Sequence, residues 1–178
     1  MADDIRFDVS GLAGVRERMR GLKAEVNFRA GRTALRAASR VLRDQARENA
    51  RKLDDPTTPE EIWKNIDIRW NSRAFKRDGV LPFRVGVLGG ARRYTETVVN
   101  VRRRRVGQAY KTLGSSTNPG GDTWYWRFLE FGTEQVEARP FLRPVASQAG
   151  QKAIDVFATK LSEGIDRALA KQAQGAKK

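Results

Sequence analysis

The hydrophobic pattern falls into two long helical stretches separated by short alternating runs. Over residues 24–53, Ala34, Ala37, Ala38, Val41, Leu42, Gln45, Ala46 and Asn49 recur at three-and-four spacing, the period of one helix face. That face is rich in alanine, which lets another helix approach closely. Beyond Pro144, the residues Val145, Ala149, Ala153, Ile154, Phe157, Leu161, Ile165, Ala168 and Leu169 repeat the spacing and predict a second long helix. Gly150 and Gly164 lower its intrinsic helicity, so packing has to hold it. Residues 172–178 read as a flexible basic tail. Between the helices, residues 66–70 alternate as a strand with Ile66, Ile68 and Trp70 inward, and residues 81–88 as its partner with Phe83, Val85 and Val87 inward. The link over 71–80 is too polar and basic for a core. Upstream, residues 4–9 alternate as a short edge strand. Ser10 is placed to cap a first helix that Gly11, Gly14 and Gly21 weaken. Thr58, Pro59 and Glu61 supply an N-cap, a first-turn proline and a capping-box acid for a short helix ending near Lys64.

The run Trp124, Tyr125, Trp126, Arg127, Phe128, Leu129, Glu130, Phe131 carries large apolar groups on both parities, which predicts a strand covered on two sides. Gly132 follows as a turn residue. Pro140 and Pro144 bracket Phe141 and Leu142 and bias Arg139 and Arg143 away from helix. The expected unit is strand, turn, aromatic plug, helix. In it Phe128, Phe131, Phe141 and Leu142 form a core with Ile154 and Phe157.

The sequence Glu130-Phe131-Gly132-Thr133, followed by Ala138-Arg139-Pro140-Phe141-Leu142-Arg143-Pro144, resembles the signature of a phage family. These are the small neck or tail-completion proteins of long-tailed double-stranded DNA phages and prophages. The resemblance implies an α+β fold: a long N-terminal amphipathic helix and a C-terminal helix packed on a small, mostly antiparallel sheet. It also implies a structural virion protein at the head-proximal end of the tail, made in the bacterial cytoplasm. Such a subunit forms a cyclic homo-oligomer, a hexamer by expectation, between tail terminator and head-completion or connector proteins, and surrounds the DNA passage. The whole of 1–171 is then one domain, with residues 89–122 an insertion longer than the family usually has. Within the insertion, residues 94–101 have β propensity and 106–113 form a second arm, with Arg102, Arg103, Arg104 and Arg105 between them. A hairpin with an arginine tip fits, as does a basic loop that orders on assembly.

Charge sharpens this picture. The chain has 35 Lys and Arg against 21 Asp and Glu, a formal charge of +14 over 178 residues. Such an excess points to a polyanionic neighbour: nucleic acid, an acidic protein surface or anionic lipid. It is patterned as well as abundant. Arg29, Arg32, Arg36, Arg40, Arg43, Arg47 and Arg51 lie within about 100° of arc on the first long helix, opposite its alanine face. Like-charge neighbours at i,i+4 each cost about 0.2–0.5 kcal/mol in an isolated helix. A solvated face normally mixes signs, so this rail, like the four consecutive arginines, calls for an acidic protein partner or DNA. The length of the helix and its alanine face suggest an element between subunits.

With no histidine and no cysteine, the chain lacks the usual general base, thiolate ligands and disulfides, so a cofactor-free non-enzyme is expected. The acids Asp54, Asp55, Glu60 and Glu61 read as solvation and helix-dipole complement. The start is acidic without an apolar segment and no run of eighteen apolar residues occurs, so neither signal peptide nor membrane span is expected. Two functional alternatives share the same charge pattern. One is a basic nucleic-acid-binding protein that forms no ring, and the other is a different minor tail component such as a tail terminator.

Overall fold

The 28-residue amphipathic period of the first long stretch becomes helix α1 (Ala24–Arg51). It is followed by α2 (Ile62–Asn65), β1 (Ile66–Trp70), α3 (Ser72–Asp78), β2 (Phe83–Val87), β3 (Arg92–Arg93), α4 (Val98–Arg102), β4 (Ala109–Tyr110), α5 (Trp126–Phe131) and α6 (Val145–Gly175). The computed structural model describes residues 6–9, 14, 17, 19, 24–53, 57, 60–88, 92–110, 119–121 and 123–175. The fold is α+β, with two long helices and small two-stranded sheets. Among the described residues no helix is long and apolar enough to cross a membrane.

The chain divides into two compact units. Met1–Gln45, Ile68–Val85 and Val145–Lys178 make up the first, Ala46–Asp67 and Gly86–Pro144 the second. In the first unit, Ala30 and Ala34 of α1 pack on Leu161 and Ile165 of α6, with Met19 and Phe157 at the margin. A Cβ on Gly164 would stand 3.1 Å from that of Ala30, so the glycine that weakens α6 as a helix is what lets α1 come close. The alanine face is therefore used within the protomer at this point, and the expected inter-subunit role does not apply to Ala30 and Ala34. Phe28, Trp70, Phe75 and Phe83 form an aromatic group, with ring centroids 4.8 Å apart for Phe28–Phe75, 5.5 Å for Trp70–Phe75 and 5.3 Å for Trp70–Phe83.

Phe75 corrects the reading of 71–80 as a polar link. This stretch is α3, which Asn71 caps by accepting from Ala74 N at 3.1 Å and Gly79 ends in the left-handed region, with φ 68°. Its polar surface is the outer side of a short amphipathic helix that presents Phe75. β1 and β2 pair as expected. Asn71 N donates to Pro82 O, and Leu88 N to Asn65 O, so the partners run in opposite directions. Residues 6–9 form no strand. The Asp8 backbone instead pairs with the Gln151 side chain, N to Oε1 at 3.0 Å and Nε2 to O at 3.2 Å. Residues 4 and 5 lie outside the described residues. Of the expected first helix, Gly14, Glu17 and Met19 are described and are helical. α2 begins at Ile62 with Glu61 as its N-cap and no side-chain cap bond, later than the capping-box pattern predicts; Thr58 and Pro59 lie outside the described residues. α6 continues past residue 171 to Gly175, into the stretch expected to be a flexible tail.

The second unit carries the two largest departures. Residues 126–131 are helix α5 where a third, two-sided strand was expected. Placing large apolar groups at every position satisfies a buried strand and a short helix alike, and here the helix serves Glu130, as described below. In the insertion, residues 98–102 are helix α4, started by the Thr97 side chain accepting from Asn100 N at 3.2 Å, so local capping overrides valine's β preference. The antiparallel pairing observed in the insertion lies elsewhere than the expected 94–101 arm: Arg92 faces Tyr110 and Arg93 faces Ala109.

Candidate functional site

The two halves of the motif meet through one carboxylate. Glu130, in the last turn of α5, is 1% exposed. Its Oε2 accepts from Phe141 N at 2.8 Å and Leu142 N at 2.9 Å, and its Oε1 accepts from Arg143 N at 2.9 Å. Arg143 closes the clasp: Nη2 donates to the Glu130 carbonyl and Nε stands 3.4 Å from Oε1. These amides stand just before α6, where the prolines at 140 and 144 leave no regular partner for them, so the carboxylate supplies it. Phe141, fully buried, is held further by Asn49 Nδ2, which donates to its carbonyl at 3.2 Å.

Each remaining motif residue has a local task. Gly132 sits at φ 74°, ψ 177°, a region open essentially to glycine, and a Cβ there would lie 3.0 Å from Ala138 N and Val136 O. Thr133 Oγ1 accepts from Gln135 N and Val136 N, folding the loop back, and Arg139 N donates to Leu129 O at 2.7 Å. The hydrophobic members divide. Phe141 is core, whereas Phe128 and Phe131 are 46% and 64% exposed, contrary to the expected aromatic core. With Trp124, whose ring lies 5.6 Å from that of Phe128, they make an exposed ridge at i, i+4, i+7 spacing. Phe157 belongs to the Ala30 cluster of the first unit.

Asn65, which the sequence reading passed over, organises the return of the insertion. Fully buried, it donates to Gly121 O and Thr123 Oγ1 and accepts from Gly120 N at 2.7 Å. A Cβ on Gly120 would overlap the Glu61 carbonyl, which explains a glycine there. The expected flexible return over 114–122 is therefore pinned at Gly120 and Gly121; residues 114–118 and 122 lie outside the described residues.

The arginine rail is partly engaged by its own chain. Arg32 lies over Trp70 at 4.9 Å and Arg51 over Trp63 at 4.1 Å. Arg47 Nε donates to Ile66 O, and Arg43 pairs with Asp44 at 2.7 Å. Arg29, Arg36 and Arg40 are exposed. The four-arginine run divides similarly. Arg105 stacks on Tyr94 at 4.2 Å and donates to Asn100 Oδ1, while Arg102, Arg103 and Arg104 are exposed around a turn in which Arg104 has φ 49°. Among the described residues no group of three or more His, Cys, Asp or Glu side chains is placed to hold a metal ion.

The family model described as "Bacteriophage HK97-gp10, putative tail-component" matches residues 14–132, about two-thirds of the chain. The chain belongs to this family. It is a phage tail component, a structural class that interacts with other virion proteins. The match ends at Gly132, so it contains the carboxylate of the clasp but not the 138–144 segment that the carboxylate holds. No curated protein and no solved structure matches the chain.

Proposed function

We propose that this tail component is a ring-forming neck or tail-completion subunit. It stands at the head-proximal end of the tail, helps join the tail to the DNA-filled head and surrounds the DNA passage. Its neighbours are further copies of itself, in a hexamer by expectation, together with tail terminator and head-completion or connector proteins. The observation that carries this reading is the exposed ridge of Trp124, in the turn before α5, with Phe128 and Phe131 on that helix, whose end is fixed by the Glu130 clasp. A large apolar surface held rigidly in a strongly charged chain is what subunit assembly uses. The charge of +14, with Arg36, Arg40 and Arg102–Arg104 on the surface, suits an acidic ring surface or the DNA of the passage.

The test is a phage in which the gene is stopped by a suppressible nonsense codon. Electron micrographs of the nonsuppressing lysate are expected to show DNA-filled heads and separate tails that lack one ring, and mixing with purified protein should join them. Complete, infectious particles at normal titre without the protein would overturn the reading.

A further inference from the structure

Among the described residues the insertion arm is held by a series of polar contacts. β3 pairs with β4, Tyr94 N donates to Gln108 O, and Gly107 N donates to Tyr94 O. Inside this loop Asn100, nearly buried, donates to Thr95 O at 2.8 Å and accepts from Arg105. The valines of α4 are not used to fold the described part of the arm. Val98 is 86% exposed, and Val99 and Val101 stand out beside Arg102, Arg103 and Arg104. Leaving three valines in water on a helix of five residues forgoes the burial that normally holds so short an element.

The same unit carries the complementary surface. The Trp124, Phe128, Phe131 ridge is apolar and aromatic, and the loop that follows exposes Glu134 and Glu137. Arg143 lies over the Phe131 ring at 5.4 Å, so the match is of valines with aromatics, the arm's arginines meeting Glu134 and Glu137. We propose that the arm of one copy docks on the ridge of a second copy of this chain, resting on the reading above that the subunit self-associates. Duplex DNA suits these surfaces less well. Valines and aromatic side chains gain nothing from the phosphates of a duplex, whereas they bury apolar area against each other. The two surfaces are distinct patches, so each copy that docks leaves one arm and one ridge open. Contacts of this head-to-tail kind close into a ring or continue as a filament.

The test uses full-length protein and two surface variants. The arm variant carries Val98→Ser, Val99→Ser and Arg103→Glu; the ridge variant carries Phe128→Ser and Phe131→Ser. All five positions are exposed, and circular dichroism checks that both variants fold as the parent does. Sedimentation of the parent is expected to show species larger than a monomer at about 0.1 mM, a concentration that reveals contacts of micromolar strength. Each variant alone should be monomeric. An equal mixture should stop at dimers, because only one working arm and one working ridge then meet. Assembly of the arm variant as in the parent would overturn this contact while leaving the ring reading intact. Open filaments from the parent, abolished in both variants, would support the contact and overturn the ring. A parent that stays monomeric until duplex DNA is added, and an arm variant that loses DNA retention, would assign the arm to DNA instead.

Discussion

Glu130→Ala tests the clasp most directly. The substitution removes the acceptor of three backbone N–H groups and the counter-charge of Arg143 together. A hydrogen bond to a charged group contributes about 1.5–3 kcal/mol net, less where water can replace the partner. The Phe141 bond is buried and the other two are half-buried, so the three together come to about 4 kcal/mol. Glu130→Gln keeps the shape but turns an NH2 toward donors at one of the two oxygens, so about half the loss is expected. Arg143→Ala should cost about 1 kcal/mol or less, because that side chain is 54% exposed and the three amides keep their acceptor.

The order of the three variants matters more than any single value. Urea unfolding followed by tryptophan fluorescence should lower the midpoint by about 2 M for Glu130→Ala, taking a slope of roughly 2 kcal/mol per molar. Amide exchange at Phe141, Leu142 and Arg143 should accelerate in the same order. A midpoint shift below about 0.5 M for Glu130→Ala, or equal damage from Arg143→Ala, would refute the view that the carboxylate holds the two halves of the motif together.

Three further outcomes are expected. Phe141→Ala should cost about 3–5 kcal/mol in the same melts, whereas Phe131→Ala should cost well under about 1 kcal/mol in the free protein, since only the first side chain is buried. Gly132→Ala should lose roughly 1–3 kcal/mol, because a Cβ at φ 74° is strained and crowds Ala138; a neutral result would mean the loop relocates at no cost. The Arg77 hydrogen bond holds the Asp78 carboxyl below its ordinary value, so its contribution is present near neutrality and lost as pH falls through the acidic range. A carbon-detected titration should find the Asp78 midpoint raised in Arg77→Gln, and an unchanged midpoint would remove Arg77 as the cause.

The long helices were legible because their signal is long. Eight positions at one period over α1, and nine over α6, cannot be rearranged by a single contact. The β1–β2 pair was legible for the same reason at period two. The misreadings fall on runs of five to seven residues, where one capping bond decides. Thr97 turns the valine-rich 98–102 into helix, and Asn71 does the same for 72–78. In neither case does periodicity compete with the cap, because a single helical turn is too short to show a period.

The motif fails differently, and the failure explains what it does. Apolar groups at nearly every position from 124 to 131 look like a strand buried on both sides, since sequence alone cannot distinguish an apolar group that packs inward from one that waits for a partner. The structure separates them by geometry. Helix α5 points Glu130 into the protein and leaves Phe128, two residues before it, and Phe131, one after it, outside. An alternating strand would have put Phe128 and Glu130 on the same side and sent Phe131 to the other. The helix therefore couples two demands that a strand could not meet together: a buried carboxylate tied to three amides, and an aromatic ridge held out in a fixed direction. Damage to the clasp should consequently reach the ridge. That is why substitutions at Glu130 and at Phe131, so different in their cost to the free protein, are expected to converge in their effect on assembly.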